Sequence, residues 1–465
     1  MSRAVAALLG LVLTGCASVS AERSIDEVRK LAGPDAAALK AVTDASGETE
    51  RAQAVEALLA KPLGMDEAIR LAMLNNRSAQ AGLAELGVAE AELAQAGRIE
   101  NPTLSFAKLR SEGEVEYERA FKLDLLGVLF IPWRMRIETQ RLEQEKLRVA
   151  ADIARLALET RKAWVNAVAA AQSARYRADV NEAAEAGATL ARRMADVGNF
   201  SRLDQAREQA YYAETTAELA RARQEAVEAR ERLIRLLGLG GSEVTKLTLP
   251  ERLPDLPATP RAFEQTAQVA AQQRLDLQRA RHEVEGLARS LGLGRATRWV
   301  NALETSYLHN SSNEGHRARG YELEFQLPLF DWGDARLARN EASYRAAFNR
   351  AAEIGLNAES ELRARYLGYR TAYDLARHYR DEIVPLRRTI ADESLLRYNG
   401  MLIGVFELLA EARQQVVAVD AYLDALRAFW VADADLALAA SAGGGETGSG
   451  PRRAAGNQAG APAGH

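Results

Sequence analysis

One cysteine, Cys16, stands in a chain of 465 residues, and its neighbours indicate what its thiol is for. It follows Leu13-Thr14-Gly15, which closes an apolar run from Ala4 behind a positive charge at Arg3. A charged start and an apolar core of about ten residues read as a secretory signal, too short to span a bilayer. The run Leu13-Thr14-Gly15-Cys16 resembles a bacterial lipobox, in which a peptidase cuts before the cysteine and the thiol is then acylated. The other reading is an ordinary signal peptide with an incidental cysteine. The sole cysteine standing at the required position argues for the lipid.

The remaining reactive residue types assemble into nothing catalytic. A single thiol excludes intrachain disulfides and cysteine-based zinc sites. The five histidines show neither HxxxH nor HExxH spacing, so no metal site of a familiar kind is expected. No nucleophile pairs with a base, and no glycine-rich phosphate loop opens a helix, so the sequence reads as a non-enzyme without a cofactor. A net charge of -4, with charged residues at 27%, offers no basic face for nucleic acid.

What does stand out is a run of carboxylates at strand spacing. From Val115 to Leu125 the odd positions Val115, Tyr117, Phe121, Leu123 and Leu125 are apolar, with Arg119 the exception. The even positions Glu116, Glu118, Lys122 and Asp124 are charged. Tyr321, Leu323, Phe325 and Leu327 alternate in the same way with Glu322, Glu324 and Gln326. Period two is the signature of a strand with one dry and one wet face. Carboxylates on the wet face suit a water-filled lumen better than a packed core. No later stretch approaches about eighteen uncharged apolar residues, so any membrane crossing must be made by strands.

These strands belong to a longer pattern that is written twice. A shift of 200 positions sets Asn101 on Asn301, Phe121 on Tyr321, Leu129 on Leu329, Phe130 on Phe330 and Arg136 on Arg336. Val197-Gly198 matches Asn399-Gly400 with a slip of two. The first copy, residues 62–237, contains a helical stretch, a hairpin over 101–129, a long helix, a tip at 198–201 and a return helix. The second, residues 261–440, repeats this with a hairpin over 301–329 and a tip at 399–404. A signal peptide (1–15) and an extension (16–61) precede them. A proline-bearing linker (238–260) joins the copies, and a glycine-, alanine- and proline-rich tail (441–465) reads as disordered.

Trp133, Trp299 and Trp332 fall where strands meet helices, either as an interfacial aromatic belt or as local packing. Four strands cannot close a barrel, which needs about eight, so the edges demand further copies of the chain. Two or three copies would both close the ring. Each long helix, at about 65 residues, spans roughly 100 Å. The two shorter helices of a copy add up to nearly that length and can stack end to end alongside it. Leu142, Val149, Leu156, Ala163 and Ala170 recur every seven residues, as a coiled-coil seam requires.

In this order and spacing, certain phrases resemble the TolC family of outer-membrane efflux proteins over residues 62–440. They are Asp66-Glu67-Ala68-Ile69-Arg70-Leu71-Ala72 with Asn75-Asn76, Asn101-Pro102-Thr103-Leu104, Gly198 with Leu203-Asp204, and Arg397-Tyr398-Asn399-Gly400 with Glu407-Leu408-Leu409. The resemblance implies a mainly α protein with membrane β-structure: a homotrimer with a twelve-stranded outer-membrane barrel continued by a helical periplasmic tunnel. It implies as partners a periplasmic adaptor and an inner-membrane pump, commonly of the resistance-nodulation-division type. Ala17 after Cys16, by analogy with other lipoproteins, agrees with an outer-membrane address.

The resemblance also places the periplasmic tip at Gly198 and Gly400, with acidic residues beyond each turn closing the mouth. Here these are Asp204 and Glu407, while the second acid of the later turn falls on Ala410 with Glu411 beside it. Ser201-Arg202-Leu203-Asp204 also reads as a helix capping box, which would give Asp204 a local task. Gly187 and Pro385 weaken the long helices shortly before the tips and mark either a hinge or a static bend. A protein-secretion duct and a lipid-anchored coiled-coil scaffold are the rival readings. The cargo is not written in the sequence, although Tyr398-Asn399-Gly400-Met401-Leu402 resembles the tip of heavy-metal efflux ducts.

Overall fold

A computed structural model describes residues 21–111, 113–296, 303–312, 315–325 and 333–443. Cys16, Trp299, Trp332 and the tail from residue 444 lie outside the described residues. Among the described residues the chain is mainly helical, with one four-stranded antiparallel sheet in the order β1-β2-β3-β4.

Helices Met65–Asn75 and Arg77–Ala96 lead into β1 (Thr103–Ser111) and β2 (Glu114–Asp124). A short helix, Leu125–Leu129, then turns the chain into the first long helix, Ile131–Asp196, and the first return helix is Arg202–Leu237. The order recurs: helices Phe263–Gln273 and Leu275–Ala296, then β3 (Leu303–Ser312) and β4 (Arg317–Phe325). The second long helix runs as Asp334–His378, a π-helical segment Tyr379–Ile383, and Val384–Asn399; the second return helix is Val405–Ser441.

The first long helix has 66 residues, and the three pieces of the second (45, 5 and 16 residues) have the same total. At 1.5 Å per residue each spans about 100 Å. Of the heptad positions, Leu142, Val149, Ala163 and Ala170 are buried and Leu156 is half-buried. Their small and branched side chains let the neighbouring helices approach along one seam.

The sequence expectation of hairpins over 101–129 is too long at its far end. β2 stops at Asp124, and Leu125 belongs to the short helix instead of the strand. The cause is local: the Asp124 carboxylate accepts the Gly127 N–H at 2.9 Å, as a helix cap does. Arg134 fixes the same turn by donating to the Gly127 carbonyl at 2.8 Å.

Each expected leading helix is instead two helices, broken at Asn76 and Arg274. The first break is where two helices abut end to end. Asn75 Nδ2 donates to the carbonyls of Leu237 and Gly238, and Asn76 Nδ2 donates to that of Leu236. Asn76 Oδ1 meanwhile caps the new helix through Ser78 and Ala79. Carbonyls left over at the end of the return helix are thus satisfied by the start of the helix stacked on it. Gly238 has φ 68°, and a Cβ there would lie 2.6 Å from the Asn75 carbonyl oxygen. At the second break Arg274, buried, donates to the carbonyls of Ala358 and Ala439 and pairs with Asp276 and Glu361.

The core lies at mid-height. Trp164 is buried and donates from Nε1 to the Leu63 carbonyl at 2.8 Å. Tyr369 and Tyr373 pack on Phe429, and Tyr373 Oη donates to the Ala258 carbonyl at 2.9 Å, with the Pro257 carbonyl at 3.1 Å. The linker is therefore strapped to the helices, with Leu247, Leu253 and Leu256 buried. The extension also packs down: Val28 is buried beside the first long helix, where Lys146 pairs with Glu27 at 2.5 Å.

Candidate functional site

Two places bring functional chemistry together: the turns at the far end of the long helices, and the faces of the sheet. The first turn closes on Gly198, at φ 79°. Gly198 N–H bonds the Ala195 carbonyl and Asn199 N–H bonds that of Met194, a Schellman ending that requires the left-handed residue.

The second turn uses the same hydrogen bonds but a different residue. Met401 N–H bonds the Tyr398 carbonyl and Leu402 N–H bonds that of Arg397, which makes Met401 the left-handed position at φ 60°. Gly400, the residue the sequence suggests for it, has φ -79°. The equivalent of Gly198 is therefore Met401, and the turn carries strain of about 1–2 kcal/mol that glycine would not. Met401→Gly is expected to raise thermal stability by about 1 kcal/mol, while Gly198→Ala lowers it by a similar amount. Melting curves of the two variants check this, with Gly400→Ala as the neutral control.

Phe200 and Phe406 stack at 4.5 Å between ring centroids, so the two turns of one chain sit side by side. The acids beyond them differ in what they do. Asp204 is engaged locally: its N–H bonds Ser201 Oγ at 3.1 Å, Ser201 Oγ donates to its carboxylate at 2.6 Å, and Arg207 pairs with it at 3.3 Å. Glu407 is exposed and, among the described residues, makes no ion pair. Glu411 lies 3.8 Å from Arg387 of the second long helix.

The strongest contact near the tip was not visible in the sequence. Glu208 of the first return helix is buried and accepts two hydrogen bonds from Arg413 of the second, both at 2.7 Å. The Arg413 guanidinium also lies over the Tyr211 ring at 4.0 Å. Both bonds come from Arg413 Nη2, which the two carboxylate oxygens share, and the charge-assisted pair together with the ring contact holds the two helices in register. The first long helix passes Gly187 without interruption, and a Cβ there would stand 3.7 Å from the Glu208 carboxylate, an ordinary van der Waals contact. The only hint in the sequence is spacing, since Glu208 and Arg413 fall at similar distances beyond their turns.

Further from the tip, Arg177 joins the same three helices, reaching Glu218 at 2.5 Å and Asp420 at 3.2 Å. Burial pushes the Asp420 carboxyl above the usual range, against the pull of Arg177. Val384 follows directly on the π-helical segment, its N–H bonding the Tyr379 carbonyl, and Pro385 comes next. The proline has no N–H for the regular ladder, and the wider π turn absorbs the mismatch without ending the helix.

The sheet sorts its side chains. Pairing places Leu104, Phe121, Tyr307 and Tyr321 in one row across all four strands, on one face. All four are exposed, Tyr321 at 86%. The opposite face carries Glu116, Glu118, Lys122 and Glu322, with Ser306 and Ala120 buried between them. Asn310 Nδ2 donates to Glu116 at 3.3 Å on that face. At the foot of the sheet Trp133 packs against Phe130 at 6.2 Å while remaining 37% exposed. Among the described residues, no group of acids, histidines or cysteines is placed to hold a metal ion, and no helix is long and apolar enough to cross a membrane.

No protein-family model matches the chain, and no curated protein matches it. Solved structures do. The outer membrane channel CmeC of Campylobacter jejuni matches with a TM-score of 0.67 at 14% identity, over 87% of this chain and 89% of that one. The open state of the MtrE outer membrane channel of Neisseria gonorrhoeae matches at 0.66 and 16% identity, over 82% and 89%. The outer membrane protein VceC of Vibrio cholerae matches at 0.65 and 17% identity, over 82% and 96%. The chain thus has the fold of these outer membrane channels.

Proposed function

We propose that the chain is one subunit of a TolC-type outer-membrane efflux duct, a passive conduit fed by an inner-membrane pump through a periplasmic adaptor. The observation that carries this is a four-stranded sheet with an exposed apolar row on one face and carboxylates on the other, its β1 and β4 edges unpaired among the described residues, set on helices about 100 Å long. Unpaired strand edges are not tolerated in lipid, so the sheet calls for closure with further copies. Three copies give twelve strands, and the acidic faces then line the lumen. The recurring element order supports descent from two repeats.

In this reading Cys16 carries the lipid anchor, the pump is of the resistance-nodulation-division type, and Glu407 faces the mouth at the tip. Opening swings the last turns of the second long helix about the π-helical segment before Pro385. The test is purification in mild detergent followed by recording in planar bilayers. We expect a trimer that survives mild SDS and a cation-preferring conductance, with Glu407→Gln weakening block by multivalent cations. A stable monomer with strong helical signal and no channel activity would sink the proposal and favour a coiled-coil scaffold. Unchanged block in a conducting Glu407→Gln variant would remove only the role of Glu407.

A further inference from the structure

The apolar face of the sheet changes character toward the hairpin turns. Two residues along from the row Leu104, Phe121, Tyr307, Tyr321, the same face presents Phe106, Arg119, His309 and Arg319. Two residues further it presents Lys108, Tyr117, Ser311 and Arg317, and beyond those Arg110 beside Val115. Successive rows stand about 6–7 Å apart along the strand. Lys108, Arg110, Arg119, Arg317 and Arg319 are exposed, and among the described residues none of them forms an ion pair. The acids with described side chains in these strands, Glu116, Glu118, Asp124 and Glu322, fall on the opposite face.

Such sorting is costly without an anionic partner. An arginine facing hydrocarbon is destabilising near the midplane and close to neutral at the interface. Here the cations begin just above the aromatic row and continue to the turns. Two of them rest on neighbouring rings: the Arg119 guanidinium lies 5.8 Å from the Phe106 centroid, and Lys108 Nζ lies 5.5 Å from that of Tyr117. Aromatic rings support the aliphatic stems and leave the charged heads free to reach outward. Guanidinium groups on a membrane-facing surface match phosphate, which they bind bidentately.

We propose that this belt binds phosphate-bearing lipid headgroups of the leaflet into which the hairpin turns project, so that a ring of anionic lipid surrounds the outer end of the barrel. The inference rests on the channel reading above, which sets the outward direction of this face. Its occupant is a lipid, because the belt continues directly from the row that meets hydrocarbon.

The test uses the assembled wild-type protein and the triple variant Arg119→Gln/Arg317→Gln/Arg319→Gln, each in detergent with added lipid A or dephosphorylated lipid A. Native mass spectrometry reads the lipid retained, and bilayer recording reads channel formation. Wild type should retain lipid A about tenfold better than the dephosphorylated form, and the triple variant should lose that preference. The charge-keeping variant Arg119→Lys/Arg317→Lys/Arg319→Lys should recover most of it. Equal retention of both lipids by wild type, or an unchanged preference in the glutamine variant, overturns the belt while conducting channels leave the duct reading intact. Displacement of lipid A by inorganic phosphate alone would make this a free-anion site and also overturn it. A wild-type protein that neither assembles nor conducts removes the channel reading and the belt together.

Discussion

Arg413→Ala is expected to destabilise the chain by about 2–3 kcal/mol and, on the duct reading proposed above, to leave the duct conducting when it should be shut. Without its partner the Glu208 carboxylate stays buried with both oxygens unpaired, and breaking a buried pair costs more than the pair is worth. Partial exposure of Arg413, at 31%, keeps the figure below that of a fully buried pair. Because the two residues tie the first return helix to the second, the loss is felt at the tip, where Phe200 and Phe406 join the turns. Single-channel recording should show higher conductance, and cells carrying the variant should admit a bulky antibiotic that wild type excludes. Glu208→Gln keeps part of the hydrogen bonding and should give a smaller effect. The double variant Glu208→Leu/Arg413→Met separates the two consequences: no charge is left stranded, so stability returns, yet the tether is gone and conductance stays high. Wild-type conductance in all three variants would sink the tether.

Phe121→Asp is expected to abolish assembly in the membrane. Phe121 stands in the middle of the exposed row, between Leu104 and Tyr307, and at 46% exposure it is only partly covered within the subunit. On the duct reading this row faces lipid, where an added carboxylate is destabilising, and every copy in the proposed ring would repeat that cost. The heat-modifiable trimer band should disappear from outer-membrane fractions. Glu118→Gln, on the opposite face, should assemble normally and reduce cation preference. The reverse outcome, with Phe121→Asp inserting and Glu118→Gln failing, would turn the sheet inside out.

Both predictions begin in the sequence but differ in how much of them it contained. The alternation of Tyr117, Phe121 and Leu123 with Glu116, Glu118 and Lys122 is a property of neighbouring residues. A strand turns successive side chains to opposite faces whatever it pairs with. The lengths of the long and return helices were legible for the same reason, though not the breaks in the leading ones, as were the Ser201 cap and the turn at Gly198, each made by residues within a few positions of one another. The end of β2 was misjudged because Asp124, which continues the alternation, is also a good helix cap, and the cap prevails.

What the tertiary structure decided lies between distant segments. Glu208 and Arg413 are 205 positions apart, and nothing in either helix says that their faces meet. Asn75 and Asn76 find their partners only where the end of the first return helix, some 160 positions away, brings carbonyls to them. Met401 takes the left-handed position in place of Gly400, in a turn that packs Phe406 on Phe200 some 200 residues away. The basic belt likewise became a belt only when the register of β1 to β4 set Arg119, His309 and Arg319 in one row. Local periodicity fixes the faces of each element; the pairing of those faces depends on register and contact across the whole chain, which no short window of sequence contains.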